Sequence, residues 1–187
     1  MKKKSIILIG VLLISFVLMA SASANYSQTI SKDQCEGRTT GEAVDTLFEF
    51  TQAPTPRGDG TLTVSIQGDY SGATSERVGV LVEGEFLGYV PESGYYDDCL
   101  CYLLTRTFTV SQQQLSKWKA DGKIEVTVVQ AYGTSSNVDC FCKTEYCSCG
   151  DYSKCAHINE VTLEYQGANN SLPMQQFMKI LGFGKEK

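Results

Sequence analysis

Residues 60–88 read GTLTVSIQGDYSGATSERVGVLVEGEFLG, and their alternation decides the fold. Leu62, Val64 and Ile66 fall on one face of an extended chain, with Thr61, Thr63 and Ser65 on the other. A period of two marks a strand with one face buried. Val78, Val80 and Val82 repeat the pattern, the chain turns at Gly84, and EFLGYV (85–90) returns. Such one-sided alternation argues against a doubly wound parallel sheet, whose strands are covered on both faces and apolar throughout.

The same reading extends outward from this hairpin. VDTLFEFTQ (44–52) is predicted as the first strand, cut off from 61–67 by the breakers Pro54, Pro56, Gly58 and Gly60. Further on, 103–110 is a strand with Phe108 and Val110 inward, and KIEVTVVQAY (123–132) another, carrying Ile124, Val126 and Val128. EVTLEY (160–165) closes the sheet with Val161, Leu163 and Tyr165. Ser111 with Gln114 three residues on has the form of a capping box and predicts a short helix with Leu115 and Trp118 inward. Lys117, Lys119 and Lys123 then belong to its last turn, where cations favour the helix dipole, and Gly122 stops it. About seven strands and one helix predict an all-β fold, an antiparallel β-sandwich of jelly-roll type with disulfide-stapled loops.

Three segments, the opening stretch 60–88 with TFTVSQQQLSKWKADGKIEVTVV and NEVTLEY, resemble the jelly-roll or C2-like modules of secreted and cell-surface prokaryotic proteins. The resemblance spans roughly residues 44–166 and implies a two-sheet fold. It brings no catalytic signature and names no ligand.

Residues 1–24 have the form of a secretion signal: Lys2, Lys3 and Lys4, an apolar run from Ile6 to Ala20, and an A-x-A site at Ala22-Ser23-Ala24. The mature chain is expected to begin at Asn25, with 25–43 as a polar arm tied down at Cys35, 44–166 as the sandwich, and 167–187 as a tail. Loss of the leader takes the formal charge from −5 to −8, which argues against a nucleic-acid ligand. The tail is apolar at Leu172, Met174, Phe177, Met178, Ile180, Leu181 and Phe183, too short to span a bilayer and fit to dock on protein or on a membrane surface. Two sequons begin at Asn25 and Asn169, both expected outside the sheet.

All eight cysteines follow the leader. Six form C-x-C pairs, Cys99/Cys101, Cys140/Cys142 and Cys147/Cys149, while Cys35 and Cys155 stand alone. Residues i and i+2 of a strand share a face, so a bridge inside a pair is unfavourable and each thiol seeks a partner elsewhere. Export and an even count point to disulfides. A thiolate metal or redox site on C-x-C-x4-C-x-C is the competing reading; its spacing departs from zinc knuckles.

No serine-hydrolase, zinc-protease or phosphate-loop motif is present, and the single histidine, His157, lies two residues from Cys155 with no geometry implied. No catalytic residue and no resident cofactor is expected. Asp69, Glu76, Asp97, Asp98 and Asp139 on loops would suit calcium if any ion binds. Tyr95, Tyr96, Tyr102, Tyr146 and Tyr152 cluster around the cysteine loops as ligand-stacking candidates or as packing over disulfides. Together these features point to a non-enzymatic secreted or surface protein, structural or adhesive, self-associating or meeting surface polysaccharide. The alternative is a carbohydrate-binding module assisted by calcium.

Overall fold

The structure, a computed structural model, describes residues 23–35, 43–68, 70, 77–92, 103–130 and 157–168. Its strands are β1 (Ser23–Asp33), β2 (Thr46–Glu49), β3 (Pro56–Gln67), β4 (Val78–Val82), β5 (Glu85–Val90), β6 (Leu104–Val110), β7 (Glu125–Val129) and β8 (Ile158–Ala168). Among the described residues the one helix, α1 (Gln112–Trp118), lies between β6 and β7.

Two four-stranded antiparallel sheets result, ordered β1-β8-β3-β6 and β2-β7-β4-β5. The first strand pairs with the last, β2 with β7, β3 with β6 and β4 with β5. The apolar residues singled out above, from Leu62, Val64 and Ile66 through Val161, Leu163 and Tyr165, are all buried in one core that both sheets line. The arrangement is therefore sandwich-like, as two one-sided sheets require. Its open edges are bridged by cations. Lys32 of β1 donates to the Leu47 carbonyl of β2 at 2.6 Å, and Arg106 of β6 donates to the Tyr89 carbonyl of β5 at 2.8 Å.

Several boundaries differ from expectation. The polar arm is not held at Cys35 alone, because 23–33 pair along their whole length with β8. Edge position explains why it read as an arm: Tyr26 and Ile30 reach the core only partly, and no residue of β1 from Ala24 onward is fully buried. The Asn25 sequon consequently lies within the sheet, exposed. Pro56 begins β3 instead of breaking the chain, at the first position where a missing N–H is tolerated, and the ladder slips between Pro56 and Gly60. The first predicted strand shrinks to Thr46–Glu49.

The helix follows its capping box: Gln114 N donates to Ser111 Oγ at 3.2 Å, and Ser111 N to Gln114 Oε1 at 3.0 Å. Asp59 adds a carboxylate at the helix start, accepting from Gln112 N at 2.8 Å. Of the three lysines only Lys117 is in the last turn. Lys119 is the C-cap, and Lys123, past Gly122, binds Glu49 and Glu125 instead. Those two hydrogen bonds raise the Lys123 ammonium above its ordinary value.

Gly60 is where the sheet can least accept a side chain. A Cβ there would lie 2.3 Å from the Glu164 carbonyl oxygen and 2.6 Å from Tyr165 Cβ, whereas at Gly58 the nearest atom is 3.5 Å away. Gly60→Ala is expected to lower stability by about 2 kcal/mol in urea unfolding, and Gly58→Ala to leave the midpoint unchanged or slightly raised. Equal effects would contradict the bulged register.

Candidate functional site

The strand registers set one end of the sandwich apart. Asp33 and Gln67 both stand opposite Ile158, Ile66 opposite Leu104, Thr46 opposite Val128, and Val78 opposite Val90. The described chain therefore leaves and re-enters at this end for β1 to β2, β3 to β4, β5 to β6 and β7 to β8. The opposite end holds the β4–β5 turn, α1, and the two outer termini of β1 and β8.

A buried polar network forms the floor of the connecting end, and Gln34 is its hub. Its side-chain oxygen accepts from Tyr70 Oη at 3.1 Å and Gln130 Nε2 at 3.2 Å, while its Nε2 donates to the Gln67 carbonyl at 3.1 Å. Its backbone N donates to the His157 carbonyl, and its carbonyl accepts from Val44 N, each at 2.9 Å. Asn159 of β8 donates across to Thr46 of β2 at 3.1 Å, and Gln130 N to Asp45 Oδ1 at 2.8 Å. Gln34 and Asn159 are 0% exposed. The network is satisfied at Gln34 and only partly at its rim, where Gln130 Oε1 and Asn159 Oδ1 are buried without a hydrogen-bond partner. Its directional bonds fix the relation of β1, β2, β3, β7 and β8. Burial also pushes the Tyr70 hydroxyl well above its usual value, with the Gln34 bond opposing.

Cys35 follows this hub, 1% exposed, and its thiol is taken up in a disulfide. The other seven disulfide candidates, Cys99, Cys101, Cys140, Cys142, Cys147, Cys149 and Cys155, lie outside the described residues. With them falls the whole C-x-C-x4-C-x-C stretch, Cys140 and Cys142 followed by Cys147 and Cys149, that carried the competing thiolate reading. The remaining candidates fall outside the described residues too: Tyr95, Tyr96, Tyr102, Tyr146 and Tyr152, and the acidic Asp69, Glu76, Asp97, Asp98 and Asp139. All are in connections rooted at the same end. Among the described residues no group of three or more His, Cys, Asp or Glu could hold a metal, and no helix is long and apolar enough to cross a membrane. His157 is half-buried at the start of β8; burial lowers its pKa, against the opposing charge of Asp33.

Gln34, Thr46, Tyr70, Gln130 and Asn159 were not singled out from sequence, although a signal exists. Thr46 has the parity of Phe48, Gln130 that of Val126 and Val128, and Asn159 that of Val161 and Leu163. Each is a polar residue on the inward face, just beyond the last apolar one. Inward polar residues of that kind mostly find partners when buried. Here Gln130 and Asn159 donate to Gln34 and Thr46 while their own side-chain oxygens stay unbonded.

No protein-family model matches the chain, and no curated protein matches it. Among solved structures it is similar to dimeric latent PorU from Porphyromonas gingivalis, at 11% identity and a TM-score of 0.38. The match covers 79% of this chain and 14% of that one, so this chain spans a small part of PorU's length. A likeness at that score carries nothing about function.

Two measurements check the floor. Gln34→Ala is expected to cost about 3 kcal/mol, through the cavity and the donors it orphans, and Tyr70→Phe about 1 kcal/mol. A loss below about 1 kcal/mol for Gln34→Ala would contradict the hub. His157 gives a pH signature. Its folded pKa lies below the ordinary 6.5, so the stability of its neutral form is complete above that value and is lost as pH falls through the depressed one. Stability should therefore decline below about pH 6.5, and His157→Gln should flatten that decline.

Proposed function

We propose that this chain is a secreted, non-enzymatic module of a cell surface, structural or adhesive, with its contact surface at the connecting end of a jelly-roll sandwich. The observation behind the reading is convergence. Every cysteine and every tyrosine and acidic candidate sits on a connection rooted above the Gln34 floor. A rigid scaffold with variable loops gathered at one end is the usual way such domains present a binding surface. The nested pairing of strands supports the jelly-roll assignment, since that fold is a long hairpin wrapped into two facing sheets. Disulfides would hold the connections in place, a role that the disulfide-bonded state of Cys35 supports.

Expression with the leader and recovery from outside the cytoplasm tests this reading. Unreduced intact mass is expected about 8 Da below the reduced mass, matching four bridges, with Asn25 as the first residue and no alkylation after denaturation. Thiols that become reactive only on chelation would overturn it in favour of a metal site. Retention in the cytoplasm with eight free thiols would overturn it altogether.

A further inference from the structure

The outward face of the β2-β7-β4-β5 sheet is used by neither the core nor the Gln34 floor. One rung across it runs Leu47, Thr127, Leu81 and Phe86, register partners in successive strands. Leu47 is 42% and Phe86 40% exposed, so the rung ends in two exposed apolar side chains. Four strands at their ordinary spacing make it about 14 Å long. Beside it, the Phe86 and Tyr89 rings meet edge to face at 4.9 Å, and the Arg77 guanidinium lies 3.6 Å from the centre of the Tyr89 ring.

That stack fixes a cation. A guanidinium over a ring face is attracted by the ring quadrupole while its outer N–H bonds stay available to a bidentate anion. Among the described residues Arg77 makes no ion pair, as is also true of Lys32, Arg57 and Lys119, but it alone of these four is held on the outward face of this sheet by a ring. Its Nε is buried with no hydrogen-bond partner. The guanidinium is therefore compensated at neither a carboxylate nor Nε, and an anion reaches it only at the outer nitrogens. In a chain of net charge −5, an arginine stacked on one ring and beside a second, exposed one is a local positive site.

We infer that this face binds an acidic polysaccharide, with a uronate carboxylate on Arg77 and a sugar ring against Phe86. A pyranose offers an apolar C–H face to an aromatic ring, and a uronate places its carboxylate at the rim of the same sugar, matching Phe86 and Arg77 as the two neighbours of the Tyr89 ring. This inference is independent of the connecting-end reading, because it uses neither the loops nor the cysteines.

Native affinity electrophoresis of the full mature protein in gels containing polygalacturonate, dextran or polyglutamate is the test. Retardation is expected in polygalacturonate alone, weakening with added salt. Arg77→Gln should weaken it about tenfold or more, Phe86→Ala several-fold, and Thr107→Val on the opposite sheet should leave it unchanged. Unchanged thermal unfolding of the variants separates lost binding from lost fold. No retardation, or a response to polyglutamate equal to that for polygalacturonate, would overturn the inference, the latter by showing a general anion site.

Discussion

Antiparallel pairing of the first strand with the last is the constraint from which the rest of the architecture follows. β8 lies between β1 and β3, so the start and end of the domain are fastened before any connection is considered. Once β1 pairs with β8, the inward apolar stripes of β3, β6 and β8 make one wall, and β2, β4, β5 and β7 must make the other. Neither sheet can bury its stripe alone, so each supplies the other's cover. Lys32 and Arg106 then close the two open sides with bonds to backbone carbonyls of the facing sheet.

The two ends of this body differ in kind. At one, the turn at Glu83 and Gly84, both at positive φ, and the capped helix α1 are short and locally determined. At the other, amides replace aliphatics in the core, and Gln34 joins residues far apart in sequence: Tyr70, Gln130 and the backbone at 67 and 157. Hydrogen bonds impose direction where apolar packing does not, which suits a floor at the roots of long connections.

Where side chains alternate strictly, the sequence was an adequate guide. Leu62 to Ile66, Val78 to Val82, and Val161 to Tyr165 are buried as their parity requires, and the Ser111–Gln114 box caps its helix. β1 was illegible for a physical reason: an edge strand over a half-open flank needs only Tyr26 and Ile30 to touch the core, and polar residues fill the rest. Pro56 and Gly60 read as breakers because a bulge and a break use the same residues. The floor was readable only in part, since parity places Asn159 and Gln130 inward but cannot say what they meet. Arg77 on Tyr89 left no sequence trace, because that contact depends on the register between β4 and β5.

Peptide mapping of the unreduced protein, resolving the partner of Cys35 and of each C-x-C member, probes the gathering of connections at one end. Strand order roots the β1–β2, β5–β6 and β7–β8 connections at one end, so Cys99 and Cys101 are predicted to bond cysteines of the other two connections. Cys99 bonded to Cys101, with Cys140 to Cys142 and Cys147 to Cys149 likewise closed within their own pairs, would contradict it.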